Sequence, residues 1–120
     1  MIHIKRSLTV GGGETVVYNG TDTLINLSTS DLNKVHVIEN AAAVVVNLPS
    51  VGASDVKDWV EFRKKGAGNL TVNRGGANTV VGLTSIANTV AVQTYAYVRL
   101  ILETATNWGR QGALGSWTTS

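Results

Sequence analysis

Short runs of alternating apolar and polar residues, separated by glycine and asparagine turns, dominate this chain. From Trp59 to Lys64, Val60 and Phe62 fall on one face of a predicted strand and Trp59, Glu61 and Arg63 on the other. Residues 97–103 alternate most clearly, and we expect this strand to lie centrally in a sheet. No segment keeps the apolar period of a long helix, so the pattern favours strands throughout.

The remaining strands are predicted from shorter runs. These lie at residues 15–18, 24–27, 35–39, 43–48, 70–73 and 79–81. Asn19-Gly20 separates the first two and is typical of a type I′ turn, so they are predicted to form a hairpin. Pro49 has no N–H to donate, so we expect the preceding strand to end at Leu48. Ser54 predicts the N-cap of a single helical or 3-10 turn.

Strands that recur every ~8–12 residues predict an all-β fold, namely a small antiparallel sandwich or barrel-like module. No repeat of ~20–50 residues is visible, which argues against a solenoid. Residues 1–33 are predicted to form an extended N-terminal arm that contains the short hairpin, with a hinge at Gly11-Gly12-Gly13. Residues 34–120 are predicted to form a compact β-module with a C-terminal tail.

Composition narrows the function classes. Only 15% of the 120 residues are charged, the net charge is +2, and Arg63-Lys64-Lys65 is the only basic cluster. We therefore expect no nucleic-acid partner. The chain has no cysteine, which excludes thiolate chemistry. No run approaches the ~20 apolar residues of a membrane span, and the start of the chain lacks the pattern of a signal peptide, so we expect no membrane partner and synthesis in the cytoplasm.

Candidate catalytic residues do not form a convincing set. His36 lies between two valines on a predicted strand, which favours a cross-strand polar contact, and His3 is predicted to lie on the surface of the arm. Asp55, Asp58 and Glu61 could form an acid/base pair, but Lys57 beside them indicates a solvated corner instead. We expect no enzymatic activity and no metal site.

The glycine-rich segments do not match nucleotide-binding motifs. Gly11-Gly12-Gly13 is followed by Glu14 and lacks the lysine of a phosphate-binding loop. Gly66-x-Gly68 lacks the third glycine and the helix of a dinucleotide fingerprint. The glycines are therefore interpreted as turn residues, and we expect no cofactor.

Partner contacts are predicted in three places. They are the apolar and basic residues at the start of the arm, the basic cluster in the module and two tryptophans near the end of the chain: Ile2, Ile4, Lys5, Arg6, Arg63, Lys64, Lys65, Trp108 and Trp117. The two tryptophans are predicted to anchor a subunit contact, since aromatic residues dominate many interfaces.

An ordered series of segments resembles the small β-modules of tailed-bacteriophage virions, found in capsid decoration proteins, head fibres and tail fibres. The segments are Val44-Val45-Val46-Asn47-Leu48-Pro49, Val60-Glu61-Phe62-Arg63-Lys64, Asn69-Leu70-Thr71-Val72-Asn73, Val81-Gly82-Leu83, residues 97–102 and Thr106-Asn107-Trp108. They lie within residues 35–108. An acidic residue expected before Leu83 is absent, since Val80-Val81-Gly82 occupies that place.

The resemblance implies a non-enzymatic virion structural protein that forms a homotrimer. The chain lacks a repetitive shaft, so the resemblance favours a capsid cement or decoration protein on the capsid exterior, bound to the major capsid protein. The arm would exchange between subunits or add a strand to the coat. The alternative is a tail-fibre or spike tip that binds a host receptor or glycan, with Tyr95 or Tyr97 as further candidates.

Overall fold

The computed structural model describes residues 5–10 and 13–120, with side chains from residue 14 onward. The described residues are largely strands. The strands are β1 (Lys5–Val10), β2 (Gly13–Tyr18), β3 (Leu24–Asn26), β4 (Lys34–Ile38), β5 (Val44–Asn47), β6 (Trp59–Lys64), β7 (Leu70–Asn73), β8 (Thr79–Val80), β9 (Ser85–Asn88), β10 (Tyr97–Thr104), β11 (Asn107–Leu114) and β12 (Thr118–Thr119). Short 3-10 turns lie at Thr29–Asp31 and Ala53–Asp55. The all-β prediction is confirmed.

Two sheets pack face to face. The larger has the order β1-β2-β4-β6-β10-β11-β8, and the smaller has the order β12-β9-β7-β5-β3. From β2 to β7 the chain passes alternately from one sheet to the other, and β2, β4 and β6 pair in parallel, as do β3, β5 and β7. One strand of the larger sheet and the next strand of the smaller sheet therefore make one coil, and the three coils are β2–β3, β4–β5 and β6–β7. Each coil is stacked on the coil before it, as in a solenoid.

The parallel coils contradict the antiparallel prediction for the first half of the chain, and the argument against a solenoid was wrong. Glu14 pairs with Lys34, which pairs with Val60, so the two steps are 20 and 26 residues long. The corner before β6 covers residues 48–58, whereas the corner before β4 covers only residues 27–33. Coils of unequal length leave no fixed period in the sequence. The second half is antiparallel as predicted, except that β8 pairs with β11 in parallel.

The predicted hairpin at Asn19-Gly20 is also wrong. These residues join β2 to β3, which lie in different sheets. Neither residue has a positive φ, so the type I′ turn is not formed. Val16, Tyr18 and Ile25 instead belong to the core shared by the whole module, so residues 14–33 contribute to both sheets and to the packing between them.

Side-chain ladders fix the register of the coils. Asn26, Asn47 and Asn73 occupy equivalent positions on β3, β5 and β7. The Asn47 amide donates to the Asn26 carbonyl oxygen at 2.8 Å, and the Asn73 amide donates to Asn47 at 3.2 Å. In the larger sheet the ring of His36 stacks between those of Tyr18 and Phe62, with centroids 5.7 and 5.6 Å apart. A register slip would break both ladders.

Most predicted strand positions after residue 34 are confirmed. β6 and β7 have the predicted bounds, β5 ends before Pro49, and β10 lies inside the larger sheet. The turn at Ala53–Asp55 is capped by Gly52 rather than Ser54. The predicted C-terminal tail is mostly a strand, β11, whose glycines and exposed residues hide the alternation.

Gly68 offers a test of coil stacking. A Cβ at this position would overlap the backbone carbonyls of Ala41 and Ala42 in the preceding coil, and backbone cannot move aside as a flexible side chain can. We expect Gly68→Ala to lower the free energy of unfolding by about 1–3 kcal/mol, measured by urea denaturation. Gly52→Ala is the control, because its Cβ meets no atom within 4 Å. Equal midpoints for the two variants would show that the coils are not packed this closely.

Candidate binding face

The outer surface of β6, β10 and β11 carries a cluster of arginine, aromatic and polar side chains. We call this cluster the arginine face, and it consists of Trp59, Glu61, Arg63, Tyr97, Arg99, Gln111 and Gly112. Its register follows from antiparallel pairing, in which Arg99 lies opposite Glu61 and Tyr97 lies opposite Arg63. Residues directly opposite each other in such a pair point to the same side of the sheet.

Glu61 lies at the centre of the arginine face and organises it. Its side chain is 5% exposed, and its two oxygens accept from the Nε of Arg63 at 2.6 Å and from the Nε of Arg99 at 3.0 Å. The side chains of Arg63 and Arg99 are 51% and 36% exposed. Each arginine therefore uses only its Nε within the described residues, and its Nη groups have no acceptor among them.

Aromatic rings hold both guanidinium groups in place. The guanidinium of Arg99 lies 4.0 Å from the ring centroid of Trp59, and that of Arg63 lies 5.3 Å from the centroid of Tyr97. Cation–π contacts of this kind contribute roughly 0.5–1 kcal/mol at exposed sites. Each arginine is thus held by a ring on one side and by the Glu61 carboxylate along one edge.

A shallow cleft of about 340 Å³ opens in the arginine face, lined by all of its members except Trp59. Arg99 pairs with Gly112 and Leu100 pairs with Arg110, so Gln111 is the extra residue of a β-bulge. Bulges commonly redirect side chains beside functional sites. Gly112 lies opposite Arg99, and a Cβ there would meet no atom within 4 Å, so its missing side chain leaves the cleft open.

The three residues of the predicted basic cluster, Arg63-Lys64-Lys65, do not form one surface. Arg63 lies in the arginine face and Lys65 is exposed, but Lys64 is only 1% exposed and points to the core side. Its Nζ donates to the carbonyl oxygen of Val90 at 3.0 Å, and desolvation lowers the pKa of the amine. Lys64 is therefore not a surface contact in this subunit. A second cavity of about 270 Å³ lies beside it, lined by Val37, Arg63, Lys64, Lys65, Thr94, Tyr95 and Ala96.

The structure places the two tryptophans chosen as partner anchors in the core instead. Trp108 is fully buried and Trp117 is 9% exposed, with its Nε1 donating to the carbonyl oxygen of Leu114 at 3.0 Å. A protein short of aromatic residues needs them to fill its interior. Trp59 lies in the arginine face instead, and its position on the polar side of β6 was the available signal. Ile2, Ile4 and His3 lie outside the described residues, and Lys5 and Arg6 are described only as backbone of β1.

His36 has the cross-strand contact predicted for it. The ring is fully buried, its Nε2 donates to the carbonyl oxygen of Asp31 at 2.8 Å, and its Nδ1 lies 2.9 Å from the Tyr18 hydroxyl. Because a carbonyl can only accept, Nε2 carries the proton, and in the neutral ring Nδ1 accepts from Tyr18. Burial, with a smaller contribution from the charge of Asp31, raises the pKa of the Tyr18 hydroxyl.

The three carboxylates considered as an acid/base set have separate partners. Asp55 accepts from the backbone N–H of Gly52 at 2.9 Å, and Asp58 accepts from the side chain of Asn33 at 3.1 Å. Glu61 belongs to the arginine face. No group of three metal-ligating side chains occurs among the described residues.

Val92, Tyr95 and Leu114 are 82%, 59% and 50% exposed. The segment before β10 and the end of β11 are neighbours, because Tyr97 pairs with Leu114 and Gln93 is hydrogen-bonded to Ser116. We call these three exposed residues the apolar patch. The side chain of Gln93 joins the segment between β9 and β10 to the residues that follow β11. Its Oε1 accepts from the backbone N–H of Ser116 at 2.7 Å, and its Nε2 donates to the Ser116 hydroxyl at 3.1 Å. The patch therefore consists of the last residue of β11 and two residues of the segment before β10, which Gln93 joins to Ser116.

Comparison with known proteins gave no match to a family model, to a curated protein or to a solved structure. Among the described residues, no helix is long and apolar enough to cross a membrane.

The Tyr18–His36 pair predicts a specific pH dependence. A tyrosine whose pKa is raised by folding stabilises the protein below its unfolded pKa, about 10, and this contribution is lost as the pH rises above that value. We expect Tyr18→Phe to cost about 1–3 kcal/mol at pH 7, since His36 Nδ1 loses its donor, and to make the loss of stability above pH 10 less steep. Urea denaturation from pH 7 to 11 measures both effects. Tyr95→Phe, at an exposed ring, should change neither, and an unchanged alkaline slope in Tyr18→Phe would contradict the assignment.

Proposed function

We propose that this chain is a non-enzymatic structural protein of a tailed-bacteriophage virion, a homotrimeric cement or decoration protein that binds the major capsid protein on the capsid exterior. The sequence resemblance over residues 35–108 motivates the proposal. The apolar patch of Val92, Tyr95 and Leu114 is the observation that supports it.

The patch has the character of a subunit contact. An apolar side chain that is 82% exposed, as Val92 is, gains nothing from water, and a partner that covers it stabilises the assembly by about 25 cal/mol for each Å² removed from solvent. Because Gln93 and Ser116 already order the backbone beneath the patch, association would cost little additional loop entropy. We assign the patch to contacts between copies of this chain.

A second candidate function is favoured by a different observation. The cleft of the arginine face is the kind of polar concavity that receives a small ligand. It supports the alternative role of a tail-fibre or spike tip that binds a host receptor or glycan.

Val92→Asp tests the assembly role. Its side chain is exposed in the single subunit, so folding should be unaffected, whereas a charge buried in each contact should weaken association about 10- to 100-fold. We expect the wild-type protein to be a trimer by light scattering, and the variant to be a monomer that no longer saturates capsids at a fixed copy number. Leu24→Asp is the matched control, since Leu24 is 55% exposed on the smaller sheet.

Two results would contradict the proposal. One is a monomeric wild-type protein that does not bind capsids, and the other is a Val92→Asp protein that forms the same trimer and decorates capsids as well as the control does. Copy number per virion separates the two candidate functions, because a decoration protein covers the capsid whereas a tip is present in few copies.

A further inference from the structure

We propose that the cleft of the arginine face binds a sugar that carries a carboxylate, such as a uronic acid unit of an acidic polysaccharide. This inference rests on the second candidate function, the glycan-binding tip, and does not depend on trimer formation or capsid binding. Four properties of the cleft support it. These are its positive charge, its hydrogen-bonding side chains, the arginine groups that lie over the aromatic rings, and the space left by the missing side chain of Gly112.

Charge selects an anion. Two guanidinium groups share the single carboxylate of Glu61, which leaves one excess positive charge at the cleft. The Nη groups of Arg63 and Arg99 have no acceptor among the described residues, because Glu61 engages only the two Nε atoms. Planar guanidinium groups with free N–H pairs match the geometry of a carboxylate.

The other polar groups select hydroxyls. Gln111 and Tyr97 line the same cleft. The amide of the one and the hydroxyl of the other can each both donate and accept hydrogen bonds. Sugar hydroxyls have the same dual character. A simple inorganic anion would engage the arginines and leave the acceptors of Gln111 and Tyr97 unused, so the combined set fits an acid that also carries hydroxyls.

The aromatic rings argue against a neutral sugar or a nucleobase as the ligand. Such ligands bind by stacking on an open ring face. Here the guanidinium of Arg63 covers Tyr97 and that of Arg99 covers Trp59, so the ligand meets a charged surface rather than an aromatic one. The rings instead help to fix the positions of the two guanidinium groups.

The cleft is already arranged for binding. Glu61 and the two rings hold the arginines before a ligand arrives, which reduces the entropy lost on binding. Gly112 stands opposite Arg99 on the next strand, where any side chain would project into the cleft. A glycine at this strand position leaves the space in which a sugar ring would lie.

Calorimetric titration with four small molecules tests the inference: sodium glucuronate, glucose, sodium acetate and inorganic phosphate. We expect saturable binding of glucuronate, with each of the other three at least roughly tenfold weaker, since each lacks either the carboxylate or the hydroxyls. Equal binding of phosphate and glucuronate would show a general anion site and overturn the proposal. Equal binding of glucose, or no binding of glucuronate, would overturn it as well.

Three variants connect the binding to the cleft. Gly112→Leu should fill the cleft and abolish glucuronate binding, with thermal unfolding as the check on folding, since its Cβ meets no atom within 4 Å. Arg99→Gln should reduce glucuronate binding roughly tenfold or more. Gln111→Leu should retain weak acetate binding and lose the preference for glucuronate. Arg74→Gln, at an exposed position after β7, should bind as the wild type does.

The variants also separate this inference from the assembly role. Val92→Asp should bind glucuronate normally whatever its oligomeric state, and Gly112→Leu should keep the oligomeric state of the wild-type protein. If Gly112→Leu does not fold, Arg99→Gln and Gln111→Leu decide the question alone. Undiminished glucuronate binding in both would place the site elsewhere and refute the proposal.

Discussion

The parallel stacking of the first three coils is the constraint on which the rest of the structure depends. Backbone hydrogen bonds between β2, β4 and β6 and between β3, β5 and β7 place equivalent residues of successive coils directly above one another. The asparagine ladder and the stack of Tyr18, His36 and Phe62 are possible only in this register. The same constraint brings one turn close to the backbone of the coil before it, where Gly68 is required.

The second half of the chain, antiparallel except for the pairing of β8 with β11, extends both sheets of this stack. In the larger sheet, β10 pairs with β6 in the antiparallel direction, and β11 pairs with β10 in the same way. β10 thus occupies the edge of β6 at which a further parallel coil would otherwise add. The arginine face lies where the coiled and antiparallel halves meet. Glu61 comes from the third coil and Arg99 from β10, so this junction creates the ion pair.

The arginine face shows how a buried charge can organise a surface. A carboxylate that is 5% exposed requires partners, since an unpaired buried charge is costly. Arg63 and Arg99 supply them with their Nε atoms, and their Nη groups have no acceptor among the described residues. The interaction that stabilises the face thus also fixes the positions of two partly exposed cationic groups. The apolar patch adjoins this face, since Leu114 lies opposite Tyr97, but the two surfaces share no residue.

The sequence by itself determined the β character, the bounds of β6 and β7, and the division of β6 into a core side and a polar side, because strand alternation and turn residues are local properties. It could not indicate which strands pair. Parallel pairing depends on hydrogen bonds between residues 20 and 26 positions apart, and coils of unequal length leave no period to detect. Only the tertiary structure placed Trp108 in the core, Lys64 inside the strand layer, and Glu61 between two arginines, because burial and ion pairing depend on neighbours from distant strands.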